Sequence, residues 1–222
     1  ARYPPLQVVA ELFTNEGVVK ASGGTLNLSS ASTRNETGGQ FEVTSGTLNV
    51  GGPSFTNDGE LAVSGGTAVV APSNWTSPGV IAISAGALTL GGSYALADFA
   101  TLRHTGGTVT ITGTLDNTGR TLTLQATPGS WLLNGGVIQG GTLQIDAGES
   151  LVVGGNNNRL VGVTVNGDID VNYATLRLND VAIDGQVTLT SNYYSRSTLA
   201  FEGTQTLRGH AEIVSSTGSY NN

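Results

Sequence analysis

The stretch FTNEGVVKASGGTLNL, residues 13–28, returns as FTNDGELAVSGGTAVV at residues 55–70 and as WTSPGVIAISAGALTL at residues 75–90. A fourth copy, NETGGQFEVTSGTLNV, occupies residues 35–50. The copies align without gaps on one anchor glycine each, and these glycines recur about every 20 residues. They are Gly17, Gly39, Gly59 and Gly79. A period of this length is typical of a solenoid, whose coils bury their inner faces only by stacking on one another.

Apolar and polar residues alternate inside each copy, which is the period of a β-strand and not of an α-helix. In the first copy, Val19 and Ala21 point to the same side as Leu26 and Leu28. The sequence therefore predicts an all-β, single-domain parallel β-solenoid of about ten coils, each of roughly 20–22 residues. A right-handed β-helix is expected because parallel crossovers favour that hand.

Glycine and asparagine recur at the ends of the predicted strands. Pairs such as Gly65 and Gly66 suit a sharp corner, which needs positive φ or a residue small enough for the next coil to stack about 4.8 Å away. Asn15, Asn57 and Asn117 suit the opposite corner, and their amides could form ladders along the axis.

A third, shorter face of each coil is predicted four residues before each anchor glycine, where most side chains are large and apolar. Gly119 and Gly136 are taken as later anchors in this alignment. The residues assigned to the third face are Phe13, Asn35, Phe55, Trp75, Tyr94, Leu115 and Leu132.

The repeat divides the chain into four parts. Residues 1–12 form an N-terminal cap or strand-exchange segment, and residues 13–145 form the regular repeats. Residues 146–214 are less regular coils of the same solenoid, with turn glycines at Gly167, Gly185 and Gly209, and residues 215–222 are a C-terminal tail.

Composition restricts the class of protein. The net charge of −7 argues against nucleic acid as a partner, and only 11% of residues are charged. The chain has no cysteine, which excludes a disulfide scaffold and thiolate metal sites, and no cofactor is predicted. No apolar run reaches the roughly 20 residues of a membrane helix, so direct membrane insertion is not expected. The chain contains no methionine and starts at Ala1, so we expect either an exported protein whose leader has been removed or a trimmed chain, and we favour export.

The cadence N-x-G-x-x-x-x-S-G-G-T-L-x-L, read from Asn15 to Leu28 and with changes from Asn57 to Val70, resembles the coils of bacterial secreted β-helix proteins. These are the filamentous-haemagglutinin-like and autotransporter-passenger-like proteins. The resemblance covers residues 13–145 well and the remainder loosely. It implies a right-handed parallel β-helix, a secreted, extracellular or cell-surface location, and a structural or adhesive role.

One acidic pair is the best candidate for chemistry. Asp168 and Asp170 alternate with Ile169 and Val171, so both should project from one outer face, about 7 Å apart. Arg177, Asn179 or Asp184 could stack on them. Paired carboxylates at that distance could hydrolyse glycosides or hold Ca²⁺, but polar residues must fill every outward strand position, and we favour a structural role. No catalytic residue is assigned.

Two other residue types have functional interpretations. His104 and His210 lie about five coils apart, cannot share a metal ion, and are expected to be surface residues. Outward threonines at Thr25, Thr47, Thr67 and Thr108 should form a column, which faintly resembles the surface of ice-binding β-solenoids. The neighbouring column is chemically mixed: Asn27, Asn49, Val69, Thr89 and Thr110.

The apolar residues Leu6, Val8, Val9 and Leu12 form a possible assembly segment before the first repeat. They could cap the first coil or join a neighbouring subunit by strand addition. The first hypothesis is therefore a non-enzymatic extracellular structural or adhesive protein that forms a homo-oligomer or filament by end-to-end stacking. The alternative is a polysaccharide-binding or polysaccharide-degrading β-helix, with a glycan or host-surface ligand. A weaker alternative is an ice-binding protein.

Overall fold

A computed structural model describes residues 4–125, 129–203 and 210–217. Within these ranges the chain consists of β-strands and one short 3-10 helix, Leu96–Asp98. It forms a parallel β-solenoid of about nine coils, so the predicted fold class is confirmed and the predicted number of coils is close. The predicted turn at Gly209 and the tail beyond Thr217 lie outside the described residues.

Each coil visits three faces in turn, and equivalent strands of successive coils pair in parallel to form ladders along the axis. Ladder 1 extends along the described length. Its strands are β1 (Leu6–Val8), the second half of β3 (Val18–Leu28), the second half of β5 (Gln40–Val50), β8 (Thr67–Val70), β10 (Ala87–Leu90), β13 (Gly107–Ile111), β16 (Gly129–Asn134), β19 (Ser150–Gly154), β22 (Asp168–Asn172), β25 (Gln186–Ser191) and β27 (Glu212–Thr217).

Ladder 2 forms the second continuous face and consists of short strands. They are β2 (Leu12–Asn15), β4 (Ser32–Asn35), β6 (Ser54–Asn57), the start of β9 (Asn74–Ile83), β11 (Ser93–Ala95), β14 (Thr114–Asp116), β17 (Val137–Gln139), β20 (Asn158–Val161), β23 (Thr175–Asn179) and β26 (Thr198–Phe201).

The remaining face is divided between two ladders. Ladder 3 consists of the first halves of β3 and β5, then β7 (Glu60–Val63), the end of β9 and β12 (Phe99–His104). Ladder 4 consists of β15 (Thr121–Leu124), β18 (Thr142–Ile145), β21 (Thr164–Asn166) and β24 (Ala182–Asp184).

Ladders 3 and 4 occupy the same place in the coil, but they are separate sheets. Strand β12 pairs back to β9 and strand β15 pairs forward to β18, and no ladder hydrogen bonds join β12 to β15 in the described chain. Linker length alone does not mark the break: three residues lie between Asn117 and Thr121 and two between Asn57 and Glu60, but four lie between Asn35 and Gln40, where ladder 3 continues. The change of pairing at Thr121 comes before the repeat loosens near residue 146.

The core consists of rows of inward side chains, one from each coil. One row of ladder 1 is buried from Leu48 to Val187, and burying each of the larger apolar side chains in this stretch contributes about 1.5–3 kcal/mol. The buried members of this row are Leu48, Ala68, Leu88, Val109, Trp131, Leu151, Ile169 and Val187. Along ladder 2 the aromatic rings of Phe55, Trp75 and Tyr94 follow one another at centroid distances of 6.3 and 4.7 Å.

The predicted third face is ladder 2, but two of its assigned members are wrong. The register places Thr33 between Phe13 and Phe55, while Asn35 pairs with Asn15 and Asn57. The cause is an insertion: three residues separate Asn35 from Gly39, whereas one separates Asn15 from Gly17. An alignment on the glycines therefore displaces Asn35 by two positions.

Leu132 is the other wrong member, and Gly136 is displaced with it. Leu132 pairs with Thr110 and Val152 on the outer side of ladder 1. The residue that follows Leu115 in the ladder 2 row is Ile138.

An internal asparagine ladder follows from the correct register. The side-chain amide of Asn15 donates to Oδ1 of Asn35 at 2.7 Å, and that of Asn35 donates to Oδ1 of Asn57 at 2.7 Å. The amide of Asn57 then donates to the hydroxyl of Ser77 at 2.9 Å. All four side chains are buried. The predicted ladder is therefore confirmed for Asn15 and Asn57, with Asn35 as the member that the alignment had misplaced.

Glycines stack at the corner between ladders 3 and 1, as the sequence predicted. Gly66 has φ of +66°, and a Cβ atom there would lie 2.5 Å from the carbonyl oxygen of Gly46. The corner therefore needs glycine both for its left-handed backbone and for the close approach of the next coil. At the end of the column, Gly24 has the same conformation, with φ of +65°, but no atom lies within 4 Å of its Cβ position.

Candidate functional site

The N-terminal segment begins ladder 1. Leu6–Val8 pairs in parallel with Leu26–Leu28. Leu6 therefore occupies the inward row of ladder 1, yet 71% of its surface is exposed because the described residues include no complete coil outside it. Val9 and Leu12 are exposed as well, whereas Val8 is half-buried against the core. The assembly segment thus presents apolar side chains at an open end of the described structure.

Two strand edges accompany these side chains. Leu12–Asn15 pairs only with the next coil, and so does the ladder 3 half of β3, which starts at Val18. A groove of about 500 Å³ runs beside β1 and is lined by Pro4, Leu6, Ala21 and Leu26 among others. This end therefore combines unpaired backbone edges with an apolar groove, which is the surface that strand addition requires.

The acidic pair lies on the outer side of ladder 1, as predicted, while Ile169 and Val171 are buried. Asp168 accepts a hydrogen bond from the backbone N–H of Gln186 at 2.8 Å, and Asp170 accepts one from the hydroxyl of Ser150 at 2.7 Å. Both carboxylates therefore take part in contacts between coils.

The expected neighbours of this pair are wrong. Arg177 and Asn179 lie on ladder 2 and Asp184 lies on ladder 4, because the chain passes through these two faces before it returns to ladder 1. The residues that stack on the pair are Ser150, Val152, Gln186 and Thr188. Within the described chain, no group of three His, Asp or Glu side chains is arranged to hold a metal ion.

The threonine column lies on the outer side of ladder 1, as the alternation predicts, but it is interrupted. Thr25, Thr47 and Thr67 are in register on ladder 1, but Ala87 separates Thr67 from Thr108. The adjoining column contains the mixed set that the sequence predicted. The outer face therefore lacks an uninterrupted array of one side chain.

A cleft of about 320 Å³ opens where ladder 3 ends and ladder 4 begins. Phe99, Leu102 and Leu122 form its apolar wall, and Arg120 and Thr123 are at its exposed rim. The cleft exists because β12 and β15 do not pair, so the side chains between them are not covered by a continuous ladder.

His104 lines this cleft, and the expectation that it is a surface residue is wrong. It is 8% exposed and, like Leu102, lies on the inward side of β12, where it pairs with Ile83 of the preceding coil. Its Nε2 lies 3.1 Å from the carbonyl oxygen of Gly107, so Nε2 donates a hydrogen bond there, and Nδ1 is an acceptor in the tautomer that carries its hydrogen on Nε2. The alternation of Leu102 and His104 was the sequence signal for burial. His210, in contrast, is exposed as expected, beside Asp184.

Trp131 packs edge-on against His104, with ring centroids 5.5 Å apart. Nδ1 of His104 and Nε1 of Trp131 are both buried, and neither has a hydrogen-bond partner among the described residues. Buried polar atoms are usually paired, so two unpaired atoms at one cleft are unusual. Both residues also line the cleft.

A second surface, which we call the tyrosine turn, consists of Tyr193 and Tyr194 and lies between ladders 1 and 2 near the end of the described structure. Tyr193 and Tyr194 are 80% and 85% exposed, and their rings meet at 82° with centroids 5.1 Å apart. Oδ1 of Asn192 accepts the backbone N–H groups of Tyr194 and Ser195, which holds the turn. The analysis of the sequence missed this pair, although two adjacent aromatics that break the strand alternation were a usable signal.

The comparison with known proteins gives no match: no family model fits the chain, and no curated protein or solved structure is significantly similar to it. The β-solenoid fold is therefore assigned from the sequence repeat and from the strand pairing alone. In the described ranges, no helix is long and apolar enough to span a bilayer.

Proposed function

We propose that the protein is a non-catalytic, extracellular β-solenoid with a structural or adhesive role, and that it assembles end to end through its N-terminal coil. The observation that carries this proposal is the position of Leu6, which lies in the inward row and is nevertheless 71% exposed. A coil stacked on this end would bury Leu6 at a gain of about 1.5–3 kcal/mol.

The partner we propose is a second copy of this chain, since its parallel strands repeat at the spacing that the open edges require. The asparagine ladder has a suitable polarity: its amides donate towards the later coils, so Oδ1 of Asn15 faces the open end. Among the described residues, that oxygen accepts a single bond, of 3.2 Å, from the backbone N–H of Gly17. An amide donor from a stacked coil would extend the ladder.

The resemblance to filamentous-haemagglutinin-like and autotransporter-passenger-like proteins supports a secreted or bacterial cell-surface location. The surface with few charges is compatible with it, since only 11% of residues are charged. Cell fractionation of the source organism with antibody detection tests the location, and recovery of the protein only from the cytoplasm would contradict it.

Light scattering after size exclusion, with electron microscopy of the same sample, tests the assembly. We expect oligomers or filaments that Leu6→Lys converts to monomers, because a charge on an open edge prevents strand pairing. Tyr194→Lys adds the same charge at a residue that is 85% exposed and should leave the oligomers intact. Monomers of the unmodified protein at all concentrations would contradict end-to-end assembly.

Polysaccharide binding is the second candidate function, and the tyrosine turn favours it. Exposed tyrosine rings on a turn held by hydrogen bonds provide apolar contact area at little entropic cost. Co-sedimentation with cellulose and chitin tests this function. If the double variant Tyr193→Ala with Tyr194→Ala still binds, the tyrosine turn is excluded as the binding surface.

Ice binding has less support because Ala87 and the mixed second column interrupt the threonine array. A thermal-hysteresis assay decides this alternative, and we expect no hysteresis.

A further inference from the structure

We infer that the cleft between ladders 3 and 4 binds a sugar ring that carries a carboxylate, such as a uronate unit of an acidic glycan. The inference goes beyond the proposed function, because end-to-end assembly uses the N-terminal coil and does not involve this cleft. It rests on the size of the cleft, its charge, and the polar atoms that its own residues leave unpaired.

The size of the cleft suits one ring. Ligand pockets in proteins span about 300–1,000 Å³, and this cleft of about 320 Å³ is at the lower end of that range. The rings of Phe99 and Trp131 and the side chain of Leu122 provide apolar surface. A pyranose ring has C–H groups on its faces and hydroxyls at its edge, and so matches a cleft with an apolar wall and a polar rim.

The charge of the cleft points to an anion. Arg120 is the charged residue of the lining, and no acidic side chain lines the cleft. The Arg120 guanidinium forms no salt bridge with any described residue. In a protein of net charge −7, an arginine without a carboxylate partner at the mouth of a cavity is a site for a ligand carboxylate, which guanidinium binds in a bidentate geometry.

The unpaired polar atoms point to hydroxyl groups. Nδ1 of His104 accepts and Nε1 of Trp131 donates, and a sugar hydroxyl can serve both since it donates and accepts. The two atoms are buried in the wall, so a small rotation of the rings on ligand entry is required to reach them. An aromatic or aliphatic acid without hydroxyls would leave both atoms unpaired, and we therefore expect it to bind more weakly than the sugar acid.

The test is calorimetric titration of the full chain with methyl β-D-glucuronide and with methyl β-D-glucoside, which lacks the carboxylate. We expect saturable binding of the glucuronide that is at least about tenfold tighter than binding of the glucoside. Arg120→Gln should weaken glucuronide binding by about tenfold or more, whereas Arg177→Gln, a matched loss of charge on ladder 2, should not change it. The same titration, followed by Trp131 fluorescence in a Trp75→Phe background, should show a saturable change.

Three results would overturn the inference. The first is no saturable binding of the glucuronide up to about 20 mM, the range of weak single-ring ligands. The second is equal affinity for glucuronide and glucoside, or for the protein with and without Arg120. The third is binding of benzoate as tight as that of glucuronide, which would show that the hydroxyls are not recognised. Unchanged circular dichroism of each variant establishes that a loss of binding is not a loss of folding.

Discussion

The side-chain amide of Asn35 donates a hydrogen bond of 2.7 Å to Oδ1 of Asn57, in a part of the core that water does not reach. The same amide donates to the carbonyl oxygen of Glu60 at 3.1 Å, where the chain enters ladder 3. One side chain therefore connects two successive coils and also secures the corner between two faces.

Asn35→Ala should lower the free energy of unfolding by about 2–4 kcal/mol, because it leaves Oδ1 of Asn57 buried without its donor. Asn49→Ala is the matched control, since it removes an equal bond of 2.7 Å to Asn27 on the outer face. Water can replace that bond, and the expected cost is under about 1 kcal/mol. Urea unfolding of both variants measures the difference, and equal costs would contradict an energetic role of burial in the ladder.

Thr33→Val should stabilise the protein by about 1 kcal/mol. Thr33 is fully buried, and its hydroxyl has no partner among the described residues. Valine has nearly the same shape and no polar atom to desolvate. Thr56→Val, at an outward position of the next coil, should change the free energy of unfolding by less than about 0.5 kcal/mol. A destabilised Thr33→Val variant would indicate that the hydroxyl is in fact hydrogen-bonded.

Gly66→Ala and Gly24→Ala distinguish the two reasons why a corner needs glycine, which are the left-handed backbone and the close approach of the next coil. Both residues have φ near +65°, so alanine costs about 1–2 kcal/mol of backbone strain at either site. Only at Gly66 would the new Cβ also meet a backbone oxygen, 2.5 Å away. We expect at least about 3 kcal/mol of destabilisation for Gly66→Ala and at most about 2 for Gly24→Ala. Thermal unfolding of both variants, measured side by side, checks the order.

The stability of the protein should fall at alkaline pH because of Tyr94. Burial raises the pKa of its hydroxyl well above the ordinary value of 10.0. Above about pH 10 the unfolded chain loses this proton and the folded chain keeps it, so the free energy of unfolding falls by up to about 1.4 kcal/mol per pH unit. Tyr94→Phe removes this contribution. Urea midpoints near pH 8 and near pH 11 should therefore differ less in the variant, and an undiminished difference would show that Tyr94 is not its source.

Asp168→Asn combined with Asp170→Asn tests the polysaccharide-degrading alternative. We expect the unmodified protein to release no reducing ends from polysaccharides, since both carboxylates are engaged in hydrogen bonds between coils. Cleavage by the unmodified protein that the double variant abolishes would overturn the non-catalytic assignment. Cleavage that persists in the variant would place a catalytic site elsewhere.

The period of the sequence was sufficient for the parts of the structure that depend on a single coil. Alternation decides which side chains of a strand face inward, so the buried row through Leu48, Leu88 and Ile169 could be predicted from residues two apart. The corner glycines could be predicted for the same reason, because a tight turn restricts φ locally. The same reasoning, applied to Leu102, would have placed His104 in the interior.

The features that only the tertiary structure decided depend on how one coil stacks on the next. The insertion before Gly39 shifts Asn35 into the asparagine ladder, and the pairing of β12 with β9 and of β15 with β18 separates ladder 4 from ladder 3. The cleft and the unpaired atoms of His104 and Trp131 lie where ladder 3 gives way to ladder 4, and Leu6 is exposed because no described coil covers it. A repeat pattern specifies which residues point inward, but the neighbour that covers each of them is determined by linker length and stacking register, which no single coil encodes.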